Sequence, residues 1–174
     1  METGWDELYT CPVCNSEDCV PPSGNPSSKI LIIGAFPGDE EIKAGKPMVG
    51  RNGTILGDEL RRCSVDLKRL RITNLWQHKP NNNAGCLVHW AKKAIAEARG
   101  KQVILLIGAE TVKYFCGCSV EAYNGLLVKS DYLSAPIVMA CLQPVNVFKG
   151  GLGEFRLTIE KFSSYLYDGW NSYE

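Results

Sequence analysis

The sequence predicts an α/β protein, a three-layer α/β/α sandwich whose central sheet is mainly parallel. Short runs such as KILIIGA, QVILLIG and APIVMACL are apolar without alternation, as strands covered on both faces are. Amphipathic helical stretches separate these runs, the pattern that joins parallel strands. The 174 residues, 45% of them apolar, suit one domain with one substantial core, and no linker or repeat divides 1–174.

Taken in order, residues 1–28 form an irregular segment in which CPVCNSEDCVPPSGNPSS carries three cysteines and too much Pro, Gly, Asn and Ser for a long element. KILIIGA is the first strand. After a glycine- and proline-rich loop, GTILGDELRRC starts a helix at Gly53 with Ile55, Leu56, Leu60 and Cys63 at helical spacing. RLRITNLW is the second strand, ending at Asn74; HKPNNNAG is a loop, and CLVHWAKKAIAEARG is an amphipathic helix closed by Gly100. QVILLIG is the third strand and AETVKYFCG the helix behind it. GLLV is a strand candidate, APIVMACL is the last core strand, and GEFRLTIEKFSSYLYDGW is the closing helix.

Charge narrows the function classes only a little. Nineteen basic and nineteen acidic side chains cancel, so no strong overall field draws the chain to nucleic acid. There is no apolar run of membrane-spanning length and METGWDELYT has no signal-peptide core, so a soluble intracellular (cytoplasmic) protein with no membrane partner is expected. Eight cysteines in that setting point to thiols and metal ligation rather than disulfides.

Ligands of open parallel sheets bind beyond the carboxyl ends of the strands. That rule selects four stretches: Gly34 to Gly53, Asn74 to Cys86, Gly108, and Leu142 to Gly150. In GAFPG, Gly34 and Gly38 remove side-chain bulk and Pro37 stiffens the turn. No G-K-[ST] or GxGxxG follows, which excludes the common nucleotide-binding loops.

GAFPGDEEIKAGKPMVGRNGTILGDEL, ITNLWQHKP, LLIGAETVKYF and CLQPVNVFKG, in that order and spacing, resemble the uracil-DNA glycosylase superfamily, most of all its iron-sulfur family 4. The resemblance spans nearly the whole chain. It implies a four-stranded parallel sheet between helices, loops that grip the DNA backbone, and a pocket receiving a flipped uracil or modified base whose N-glycosidic bond is hydrolysed. Asn74 is the residue that keeps its family identity and would read the base edge with its amide. Three other positions depart. Ala35 stands where the GE-x-PG pattern has a glutamate, and alanine cannot orient or deprotonate water. Met48 stands where GRPFVG has a phenylalanine that stacks on the base, with Phe36 nearby as a second stacking group. Gln143 stands where HP supplies a histidine; its amide donates a neutral hydrogen bond to the departing base but never becomes cationic. Asp39, Glu40 and Glu41 read as a solvated acidic turn.

Cys11 and Cys14 form a CxxC knuckle, a strong metal signal. The resemblance implies that this knuckle and Cys86 hold three corners of a [4Fe-4S] cluster, with His78 at the remaining family position. Cys3His coordination suits zinc and is less usual for a cubane cluster, and Cys19 rivals His78 as the fourth ligand. Cys63, Cys116, Cys118 and Cys141 read as small core residues.

Gly34, Pro37, Gly38, Lys46, Arg51, Asn52, Lys79, the run Asn81 to Asn83, Lys149 and the glycines behind it are the groups to meet DNA phosphates. Two readings follow. One is a DNA-binding glycosylase with altered chemistry. The other is a glycosylase fold that keeps its DNA or protein contacts as an accessory subunit in replication or repair, with Trp170 and Tyr173 as an exposed partner site.

Overall fold

The computed structural model of the protein describes residues 10–170, with side chains through residue 167. The expected site at Trp170 and Tyr173 lies outside the described side chains.

Five strands form one sheet: β1 (Ser23–Gly24), β2 (Ile30–Gly34), β3 (Arg71–Asn74), β4 (Val103–Ile107) and β5 (Ile137–Cys141), in the order β1-β3-β2-β4-β5. The last four run parallel, with Gly34 level with Asn74 and Ile107 with Cys141, so their carboxyl ends share one edge. The apolar runs at 30–34, 103–107 and 137–141 are the strands that their composition predicts. Six helices follow in chain order: α1 (Asp39–Ala44), α2 (Arg51–Arg62), α3 (Ala84–Ala98), α4 (Ala109–Cys116), α5 (Val120–Tyr123) and α6 (Leu152–Trp170).

Because successive strand residues face opposite ways, each strand serves two cores. Leu31, Ile33, Ile104, Leu106, Val138 and Ala140 pack with Trp90 and Ala94 of α3 and Phe115 of α4. Ile32, Leu105, Met139 and Cys141 pack on the other face with Leu56 and Leu60 of α2 and Phe155, Ile159 and Phe162 of α6. The connection from β2 to β3 thus covers one face, while those from β3 to β4 and from β4 to β5 cover the other. The reversal opens a crevice at the end of β2, where such sheets bind ligands.

Four details differ from expectation. The sheet has five strands instead of four, because Ser23–Gly24 pairs antiparallel with Arg71 and Ile72. Gly24 has φ +82° and lies so close to the Leu70 carbonyl that a Cβ would sit 1.8 Å from its oxygen, so glycine itself permits the pairing. Nothing apolar announces this strand, since pairing alone defines it. The acidic stretch at 39–41 opens helix α1, and α2 begins at Arg51 rather than Gly53. GLLV makes only an isolated antiparallel bridge, Leu127 to Met139, yet Val128 N donates to Val138 O at 2.8 Å and Ala140 N to Leu126 O at 3.1 Å. That segment covers the outer edge of β5, which would otherwise present free backbone groups.

Candidate functional site

A cleft of about 330 Å³ opens at the ends of β2 and β3, lined by Ala35, Phe36, Met48, Asn74, Ile107 and Gln143 among others. Four of the residues singled out from sequence, Asn74, Phe36, Met48 and Gln143, therefore meet around one cavity, beside Ala35. Asn74 is the last residue of β3 and is 4% exposed. Its backbone is held by the register with Gly34 and by Gln77, whose Nε2 donates to Asn74 O and Thr73 Oγ1, each at 2.9 Å. The side-chain amide makes no hydrogen bond within the described residues, so a donor and an acceptor remain available to a ligand.

Gly34 lets this amide lie against the strand. A Cβ there would stand 2.5 Å from Asn74 Oδ1 and 2.9 Å from Met48 Cε. Met48 itself has φ +56°, an uncommon conformation for a residue with a side chain. Gly53 accommodates that bend, since a Cβ on it would come within 1.8 Å of Met48 O. Gln143 lies across from Ala35 beside Gly108 (φ +96°), where a Cβ would be 3.2 Å from Gln143 Nε2 and 3.7 Å from Ala35 Cβ. Phe36 is 43% exposed at the rim, with an uncommitted ring face.

Three acids also border the cleft, and only two are accounted for by partners. Glu41 accepts from Gly38 N (3.1 Å) and Gly50 N (3.0 Å), bridging the starts of α1 and α2. Sequence reasoning passed over this clamp, although Gly38 followed by Glu at the third helical position has the spacing of a helix-capping pair. Asp39 pairs with Lys79, whose hydrogen bond and charge hold its carboxyl below the usual range. Glu40 is exposed.

The expected DNA-contacting groups divide. Lys46, Arg51 and Lys149 are exposed, and Arg51 lies 5.0 Å from the ring centroid of Phe148, itself 66% exposed. Gly34, Pro37 and Gly38 belong to the wall of the first loop, with Gly34 and Pro37 buried. Asn52 Oδ1 accepts from Val145 N at 2.9 Å, tying α2 to the 3-10 turn Pro144–Lys149. Asn81 and Asn83 are also engaged internally: Asn81 Oδ1 accepts from Asn83 N and Asn83 Oδ1 from Gly85 N, both at 2.9 Å.

A second constellation lies outside the cleft lining. Cys11, Cys14, His78 and Cys86 each offer one ligand atom, all within 4.8 Å of one another. The CxxC knuckle is folded by Asn15 N donating to Cys11 O at 2.8 Å; His78 follows β3, and Cys86 enters the first turn of α3. Burial opposes ionisation of Cys11, but N–H groups of Cys14 and Val13, with the His78 and Cys14 side chains, outweigh it and bring the thiol to about 7. Burial pushes the Cys86 thiol up, against a hydrogen bond from Asn81 Nδ2 at 3.5 Å. Cys19 stands apart from the group: its thiol donates to Ser16 O at 3.4 Å, and burial, reinforced by Cys11 and Cys14, pushes it up to about 12. Cys141 is fully buried and likewise pushed up to about 12.

Among the described residues no helix is long and apolar enough to cross a membrane. A family model for the uracil DNA glycosylase superfamily matches residues 21–162. The chain is similar to a type-4 uracil-DNA glycosylase of Thermotoga maritima, 28% identical over 95% of this chain and 94% of that protein. Shorter matches join it to type-4 uracil-DNA glycosylases of Sulfurisphaera tokodaii, 30% identical over 45% of this chain and 38% of the relative, and of Pyrobaculum aerophilum, 36% over 38% and 34%. With the parallel sheet, the cleft at its strand ends and this match across most of its length, the chain belongs to the uracil DNA glycosylase superfamily.

Proposed function

We propose that this protein binds DNA and takes a flipped pyrimidine into the cleft, with Asn74 reading the base edge and slow hydrolysis of its N-glycosidic bond following. The observation that carries this reading is the nearly buried Asn74 amide, which opens into the cleft without an internal partner. An amide so placed matches a pyrimidine edge with one donor and one acceptor. Phe36 and Met48 offer apolar contact to the base faces. Hydrolysis breaks the bond between the sugar C1′ and the base nitrogen and joins a water oxygen to C1′. Gln143 Nε2 donates to the base as it departs with the bonding electrons, and the water's proton passes to solvent. Ala35 supplies no group to orient that water, so the step proceeds without a side-chain base at this position.

Oligonucleotides carrying uracil, single-stranded or opposite guanine, test this when incubated with the protein and then cleaved with alkali. Abasic product is expected to form slowly and to disappear with Asn74→Ala. The methyl group of Ala35 and the neutral Gln143 favour a second reading, an accessory DNA-binding subunit. DNA binding without product on any base tried would select it.

A further inference from the structure

The resemblance implies a [4Fe-4S] cluster, and the donor atoms of this chain test whether one fits. In a cubane each ligand binds a different iron, so two metal–ligand bonds and a metal–metal edge separate any two ligand atoms. Ligands of one tetrahedral ion stand much closer. With zinc–sulfur bonds of about 2.3 Å and zinc–nitrogen bonds of about 2.0 Å, the separations are about 3.8 Å between sulfurs and about 3.5 Å between sulfur and nitrogen. Here Cys11 Sγ lies 3.9 Å from Cys86 Sγ, and Cys14 Sγ lies 3.5 Å from His78 Nε2. All four atoms fall within 4.8 Å, so the set encloses room for one ion and is too tight for the corners of a cubane.

The surroundings complete such a centre. His78 Nδ1 lies 2.7 Å from the Lys79 carbonyl oxygen, which can only accept, so the ring proton sits on Nδ1 and Nε2 turns its lone pair to the thiols. Trp90 meets the imidazole edge-on with centroids 6.0 Å apart, and Trp76 tilts against it at 5.9 Å. Asn81 donates to the Cys86 sulfur at 3.5 Å. Cys11 and Cys86 have no exposed surface and His78 is 2% exposed, while Cys14 is half-buried, so three of the four ligands are shielded from solvent as in structural zinc sites.

We propose that Cys11, Cys14, His78 and Cys86 hold a single zinc ion in place of an iron-sulfur cluster, and that the ion staples the amino-terminal segment to α3 and to the loop after Asn74. This goes beyond the glycosylase reading and stands or falls apart from it. The full chain is purified without oxygen from cells supplied with both iron and zinc, then examined by metal mass spectrometry, visible absorption and X-ray absorption at the metal edge. One zinc per chain is expected, with no band at roughly 400 nm and a shell of three sulfurs at about 2.3 Å and one nitrogen at about 2.0 Å. Iron with sulfide and iron–iron scattering, a single iron, or no bound metal would each overturn the assignment. His78→Ala should weaken zinc at least tenfold in competition with a chromogenic chelator, and unchanged affinity would remove the histidine from the site. Should that variant fail to fold, His78→Cys supplies the check, keeping zinc in a shell of sulfur alone; loss of the metal from soluble His78→Cys protein would also count against the proposal.

Discussion

The proposed hydrolysis turns on two side chains on either side of Gly108. Ala35 and Gln143 flank Gly108, and neither can carry a proton to or from the reacting groups. With the residues that the resemblance places at these positions, Ala35→Glu combined with Gln143→His should raise the rate of abasic product by about 10² or more, since one preorganised group is typically worth that much. Single-turnover kinetics on a uracil oligonucleotide check this, and an unchanged rate would place the defect elsewhere in the cleft. Gly34→Ala works in the opposite direction. Its Cβ would meet Asn74 Oδ1 at 2.5 Å and Met48 Cε at 2.9 Å, so the amide must swing away from its place. Overpacking of this kind costs about 1–3 kcal/mol. Binding of uracil-containing DNA should fall far more than the melting temperature does. At this scale the CxxC knuckle was legible from residue type and spacing, and the position of Asn74 at a strand end from the strand before it, whereas its base-reading role is only what the resemblance implies. Asn52 and Asn81 were not, because an asparagine bonded inside a loop and one facing solvent read alike in sequence.

Elements are fixed to one another by a few buried polar pairs, and these were the least legible features. Arg71 on β3 and Glu97 on α3 form a two-point pair, Nε to Oε2 and Nη2 to Oε1, each 2.9 Å. Their side chains are 6% and 13% exposed, so each charge relies on the other. Glu97→Ala should cost about 3–5 kcal/mol in denaturant unfolding by stranding the arginine, whereas Arg71→Met with Glu97→Leu should recover most of it. A double variant as weak as the single one would mean that the pair, rather than the orphaned charge, supplies the stability. Strands built of continuous apolar runs carry their own signal, which is why β2, β4 and β5 could be read directly. The two-residue β1 and the short α1 could not: one depends on pairing with β3, the other on the reach of Glu41 to Gly38 and Gly50.

For the whole molecule, charge balance bears on the proposed DNA binding. Nineteen positive and nineteen negative side chains leave no strong overall field. On the loops that follow the strands, Lys79 is paired with Asp39, Glu40 is an exposed negative charge, and Lys46, Arg51 and Lys149 are exposed cations. Each phosphate neutralised on a single strand contributes about −0.7 to the slope of log affinity against log salt. Three contacts therefore predict a slope of about −2, or roughly a 20-fold loss of affinity between about 50 and about 200 mM salt. Fluorescence anisotropy with a labelled single-stranded oligonucleotide measures it. Lys149→Ala should make the slope shallower by about 0.7 while leaving any preference for uracil intact, because a phosphate contact carries no base information. A much steeper slope would require cations beyond these three on the DNA, and a slope that Lys149→Ala does not alter would move the binding face away from the end of β5.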